Sequence, residues 1–202
     1  MPEHNKKVVL ATRNKGKVRE MERLFAPLGW EIVSLDEFPD APEVVEDGET
    51  FVANALKKAT TISAATGLPA IADDSGLEVD ALEGRPGVYS ARFAGEQASD
   101  EDNWKKLLTE LKDTPNEKRT ARFRCVLAFV EPGKAPITAS GACEGVILRE
   151  PAGTNGFGYD PVFFLPEQMC TMAQLAPERK NQISHRAKAM ENLLAEIRGT
   201  GK

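Results

Sequence analysis

Asp73 and Asp74 stand side by side in the stretch IADDSGLEVD, residues 71–80, after an apolar run and just before Ser75 and Gly76. Adjacent carboxylates repel and need a compensator, commonly a hard divalent cation. Neighbouring residues of a strand point to opposite faces. One aspartate can then face a reacting group while the other orients a neighbour. We expect the pair to end a buried strand, with Ser75-Gly76 making the turn. The acidic segment upstream adds Glu43, Glu46, Asp47 and Glu49 as further oxygen donors. Carboxylates near lysines suit metal-assisted attack of water on a phosphate. The plainer alternative is that one aspartate only caps the turn.

Four other groups of residues could take part. Thr12-Arg13-Asn14-Lys15-Gly16-Lys17 lies at a strand-to-helix junction. Free backbone N–H groups there favour an anion, and Lys17 adds a cation. The Gly-Lys pair is not a phosphate loop of the G-x-x-x-x-G-K-[ST] kind, because Ala11 and Val18 stand where glycine and Ser/Thr are needed. Lys58 follows Asn54 by four residues and Phe51 by seven, close to the apolar stripe of a helix. It must snorkel or meet an anion. Gly156-Phe157-Gly158-Tyr159-Asp160-Pro161 sets an aromatic between glycines beside a carboxylate, which suits stacking on a planar base or simple loop packing. Ser184-His185-Arg186 opens a helix, where cations are disfavoured by the dipole. That misplacement points to a ligand role, such as donors toward a base carbonyl, unless the pair is merely exposed.

The elements that must carry these residues are readable from periodicity. KVVLAT (7–12) and EIVSL (31–35) read as short strands around a helix with Val18, Met21, Leu24 and Phe25 on one face, closed by Gly29. Residues 36–49 read as an acidic loop. Residues 50–67 read as a helix through Phe51, Ala55, Ala59 and Ile62 that stops at Gly67. LPAIADD is a buried strand, and LEGRPGVYSARFAG is mainly loop. Ser99 and Asp102 resemble a capping box for a helix with Trp104, Leu107, Leu108 and Leu111 on its core face. Residues 119–150 predict two or three strands with a turn near Glu131–Lys134. A glycine-rich loop leads into a strand at Pro161–Leu165. The last helix runs through Ala187, Met190, Leu194 and Ile197. The mixture predicts an α/β fold with a long mixed sheet and a cleft.

Composition narrows the function. The chain has 202 residues, 41% of them hydrophobic, enough for a substantial core. A net charge of −5 argues against a nucleic-acid-binding surface, which is usually basic. No apolar run approaches the ~18 residues of a membrane span, nor does the short N-terminal apolar run suit a signal peptide, so we expect a cytoplasmic protein. Cys125, Cys143 and Cys170 fit no zinc spacing and read as buried or semi-buried free thiols. With only His4 and His185, a histidine-rich metal site is excluded.

The motifs TRNKGK, ETFVANALKKA, IADDSGLEVDALEGRPGVYSARFAG, EPAGTNGFGYDPVFF and ISHRAKA together resemble the inosine triphosphate pyrophosphatase family, the non-standard purine NTP pyrophosphatases, over about residues 8–198. The resemblance implies one domain, residues 1–202, with an elongated mixed sheet, flanking helices and two lobes around a central cleft. Residues 1–6, outside the match, are expected to be a flexible extension. It implies a homodimer that converts dITP, ITP and XTP to the monophosphate and pyrophosphate with Mg²⁺. By the same resemblance Thr12, Asn14 and Lys17 hold the phosphates, with Lys58 assisting. Glu46 and Asp74 hold the metal. Asp74 is the base for water and Asp73 supports it. Ser75 and Gly76 lie against the nucleotide, and Phe157 and Gly158 carry the stacked purine. Tyr159, Asp160, Lys180, His185 and Arg186 line the base pocket.

Overall fold

The computed structural model describes residues 6–199. The expected extension over residues 1–6 lies outside the described residues except for Lys6. A single seven-stranded mixed sheet runs in the order β2-β1-β3-β4-β5-β6-β7. Strand β1 (Lys7–Leu10) pairs in parallel with β2 (Glu31–Ser34) and with β3 (Ala70–Val79). Strands β4 (Thr120–Val130) and β5 (Ile137–Ile147) follow, and β6 (Phe163–Leu165) is antiparallel to both β5 and β7 (Cys170–Thr171). The helices are α1 (Lys15–Phe25), α2 (Phe51–Thr66), α3 (Asp100–Glu110), α4 (Pro177–Ile183) and α5 (His185–Gly199).

The chain divides into two compact units. One holds the residues up to Asp74, Cys125–Gly141 and the stretch from Arg186 onward. The other holds Ser75–Arg124 and Ala142–His185. Each has its own apolar core. In the first, Val8, Leu10 and Ile71 pack with Met21 and Phe25 of α1 and with Ala189, Met190 and Leu193 of α5. In the second, Leu77 and Val79 pack with Leu107 and Leu111, Phe123, Phe163 and Met172. These are the amphipathic stripes expected of surface helices, closed against a sheet.

Local signals held where chemistry was explicit. Asn14, Thr50 and Ser99 cap α1, α2 and α3, and Ser99 with Asp102 forms a capping box. Gly29 and Gly67 take φ of 65° and 69° after their helices, the left-handed conformation that favours glycine. Cys125 and Cys143 are buried, Cys170 is half-buried, and none of the three is in a disulfide. One reading fails. Asp73 and Asp74 do not end a strand, and Ser75-Gly76 make no turn. β3 runs on to Val79 because Leu77 and Val79, both fully buried, extend its apolar pattern into the second core.

Candidate functional site

The first unit gathers charge around β3. Asp73 is only 1% exposed. Its Oδ1 lies 3.2 Å from the Lys17 ammonium, and its Oδ2 accepts a hydrogen bond from Arg186 Nε at 3.2 Å. Its backbone carbonyl accepts from Lys58 Nζ at 2.6 Å. A buried carboxylate is tolerated only when paired in this way. Helices position the partners. Asn14 starts α1 so that Lys17 falls in its first turn, and α2 carries Lys58 on its buried face.

Asp74, on the other side of the strand, is handled differently. Its Oδ2 accepts one hydrogen bond, from Asn54 Nδ2 at 3.0 Å. Burial pushes its carboxyl up to about 6, while Lys58, the Asn54 bond and Lys17 pull it down and Glu46 adds to the rise. Lys58 Nζ also lies 3.1 Å from Glu46 Oε2. Lys58 therefore sits among Glu46, Asp74 and the Asp73 carbonyl. Glu46 and Asp74 could offer a cation hard oxygen donors of the kind Mg²⁺ takes, one or two carboxylates with water and phosphate oxygens completing the shell. Among the described residues no group of three or more His, Cys, Asp or Glu could hold a metal.

The turn before α1 departs from expectation. Asn14 Oδ1 accepts from the N–H groups of Gly16 at 2.9 Å and Lys17 at 3.1 Å, and Thr12 Oγ1 accepts from Asn14 N–H at 3.2 Å. These backbone donors are not idle: the side chain of Asn14 caps them. What the turn presents is the Lys17 ammonium and the amide of Asn14.

The second unit builds a loop around Phe157. Asp160 Oδ2 accepts the Phe157 N–H at 3.1 Å and meets Lys180 Nζ at 2.6 Å, and that ammonium lies 4.9 Å from the centre of the Phe157 ring. Gly156, at φ 76°, permits this turn: a Cβ there would fall 2.0 Å from Asp160 Oδ2. The N–H of Gly158 donates to Asp100 Oδ2 at 2.8 Å. His185 is buried and stacks on Phe123 with ring centres 4.8 Å apart. Phe157, Asp160 and Lys180 thus come together. Ser75 and Gly76 continue β3 into this unit.

Two residues expected in the base pocket are placed differently. Tyr159 is a core side chain, 4% exposed, and its hydroxyl donates to Ser90 O at 2.7 Å. Burial pushes that phenol well above its usual range. It anchors the loop from within, because the residue after Gly158 turns inward. Arg186 lies with its guanidinium on Asp73 and on Glu20, whose Oε2 is 2.9 Å from Nη1. Burial opposes its charge, but the two carboxylates outweigh that and raise its pKa. These anions account for a cation in the first turn of α5.

Sequence reading also missed partners. Glu20 gave no signal. Asn54 did, as a polar residue one turn before Lys58 on the buried face of α2. Ser90 links the loop to β3: its hydroxyl accepts from Leu77 N–H at 2.9 Å and donates to Gly87 O at 2.6 Å.

The raised Asp74 carboxyl carries a stability consequence. The folded value, about 6, stands above the unfolded value of 3.8. Charging Asp74 therefore costs the folded protein nothing below about pH 4, increasingly more between about pH 4 and 6, and its full amount above. Asp74→Asn removes this cost. Urea unfolding of chelator-treated protein should show the variant about 1–3 kcal/mol more stable at neutral pH, with the gain gone in acid. Lower stability of the variant at neutral pH contradicts this electrostatic account.

Comparison with known proteins places this geometry. The pattern that defines the Ham1 family matches residues 8–196. A dITP/XTP pyrophosphatase of Geobacter sulfurreducens is 58% identical over 184 residues, 91% of this chain and 92% of that protein. One of Vibrio parahaemolyticus is 54% identical over 194 residues, 95% of this chain and 96% of that protein. Among solved structures, a HAM1 protein from Coxiella burnetii superposes with a TM-score of 0.86 at 43% identity, covering 96% of this chain and 99% of that one. A nucleoside-triphosphatase, or dITP/XTP pyrophosphatase, from Mycobacterium abscessus gives 0.75 at 45% identity, covering 93% and 98%. With a family match over nearly all of its length and relatives above half identity, the chain belongs to the Ham1 family.

Proposed function

We propose that this protein hydrolyses non-standard purine nucleoside triphosphates, dITP, ITP and XTP, to the monophosphate and pyrophosphate, and so cleanses the nucleotide pool. The observation that carries the reading is the unequal pair on β3. Asp73 is held by Lys17 and Arg186. Asp74 keeps a carboxyl raised toward neutrality, with one hydrogen bond from Asn54. Relatives named dITP/XTP pyrophosphatase at 53–58% identity support the substrate class.

In this reading Lys17, Asn14 and Thr12 take the phosphate chain, with Lys58 neutralising charge beside it. Asp74, a carboxylate with one amide donor beside Lys58, accepts the proton of the attacking water. Asp73 keeps Lys17 and Lys58 where the phosphates need them, so the gain comes from positioning and charge placed in advance. Glu46 and Asp74 would hold Mg²⁺, which when bound would polarise the phosphate oxygens and offset their charge. Phe157 stacks on the purine, with Gly158 beside it. Lys180 and His185 offer donors to the carbonyl at C6 that hypoxanthine and xanthine carry and adenine lacks. Ser75 and Gly76 lie against the nucleotide.

We further propose a homodimer working in the cytoplasm, where the nucleotide pool is. Among the described residues no helix is long and apolar enough to cross a membrane. Light scattering should give about twice the 22.0 kDa chain mass; a mass of one chain overturns the dimer.

Purified protein with Mg²⁺ should release pyrophosphate from ITP, dITP and XTP at least about tenfold faster, as kcat/KM, than from ATP or dTTP; a tenfold ratio corresponds to about 1.4 kcal/mol in the transition state. Orthophosphate as the first product means cleavage at the terminal phosphate and overturns the mechanism. No release from any purine triphosphate overturns the enzymatic reading.

A further inference from the structure

Asn54 is 1% exposed on α2, and both ends of its amide are occupied. Oδ1 accepts the N–H of Gly48 at 2.7 Å, and Nδ2 donates to Asp74 Oδ2 at 3.0 Å and reaches Gly48 O at 3.4 Å. A carboxylate accepts only and a backbone N–H donates only, so these bonds fix which way the amide points. Gly48 lies two residues after Glu46, in a segment without helix or strand. It approaches so closely that a Cβ at position 48 would fall 2.6 Å from Asn54 Oδ1. One buried side chain therefore ties the segment that carries Glu46 to the carboxylate of Asp74.

We propose that Asn54 is a positioning residue that couples Glu46 to Asp74, so that the two carboxylates meet a divalent cation as a prearranged pair. The inference rests on the reading above that these two residues hold Mg²⁺. A buried amide with no such duty would more economically be an alanine or leucine, since an unsatisfied polar group in the core is costly. Asn54 instead directs its side-chain bonds toward the two site-bearing segments. Groups of this kind, lying behind metal ligands, are typically worth 10–100-fold in metal affinity.

The test is Mn²⁺ binding to the full-length, chelator-treated protein without nucleotide, followed by the electron paramagnetic resonance of free Mn²⁺. Wild type, Glu46→Gln, Asn54→Ala and Gly48→Ala are compared. Expected are weaker binding for Glu46→Gln, about tenfold or more weakening for Asn54→Ala, and a smaller weakening for Gly48→Ala, whose added methyl pushes on the amide from the other side. In steady-state assays the Mg²⁺ concentration for half-maximal rate should rise in step. The KM for ITP at saturating Mg²⁺ should change by less than about threefold. A helix-packing role alone would not separate these two quantities. If Glu46→Gln weakens Mn²⁺ binding and neither Asn54→Ala nor Gly48→Ala does, the coupling is wrong and the metal reading stands. If wild type binds no Mn²⁺, or Glu46→Gln leaves binding unchanged, the metal reading fails and the coupling with it. If Asn54→Ala does not fold, Gly48→Ala alone decides.

Discussion

A carboxylate buried in the middle of a strand is the constraint around which the first unit is organised. Asp73, 1% exposed, would be intolerable alone in a protein interior. Lys17 from α1 and Arg186 from α5 each come within 3.2 Å of it. Lys58 from α2 binds its carbonyl. Three helices are thus drawn to one residue of β3, and each brings a positive charge with it. The same arrangement that makes burial of Asp73 bearable assembles the cations that a phosphate chain requires. Arg186 is in turn shared with Glu20, so the cluster spreads its charge over α1 as well.

Because Asp73 takes up this role, Asp74 is left for another. Adjacent strand residues point to opposite faces, and the chain exploits that to give two identical side chains different chemistry. One is neutralised by cations. The other is desolvated and sits near Glu46, and these together raise its proton affinity against the pull of Lys58 and of the Asn54 bond. Division of labour between paired carboxyl groups by environment is a general route to acid–base function. In the second unit the same economy appears around Asp160, which closes the loop on Phe157 N–H while holding Lys180 against the aromatic ring.

Much of this was legible in the sequence because it was written in local terms. The Ser99–Asp102 capping box, left-handed glycines after α1 and α2, and apolar stripes on α1, α2 and α3 all follow from short-range chemistry. The site residues on β3 and α2 stood out as charges in apolar surroundings. What was not legible depends on partners distant in sequence. The chain gives no local reason for β3 to pass straight through four polar or small residues; that follows from Leu77 and Val79 belonging to a second core. Arg186 looked misplaced until Asp73, 113 residues away, was brought to it. Nothing in its neighbours marks Arg119, yet its guanidinium is buried and donates to the carbonyls of Leu111, Ile147 and Leu148. Short elements with few periodic residues, β7 and α4, escaped as well.

The central claim is that Asp74 acts in the reaction while Asp73 holds the cations in place. It is tested most directly by measuring ITP binding and turnover in parallel on Asp74→Asn. Asparagine keeps the shape and the acceptor that Asn54 meets but takes no proton from water. The account predicts nucleotide affinity within about tenfold of wild type and a fall in kcat of about 10²–10⁴, the range lost with a general base. Turnover close to that of wild type in the variant would contradict it.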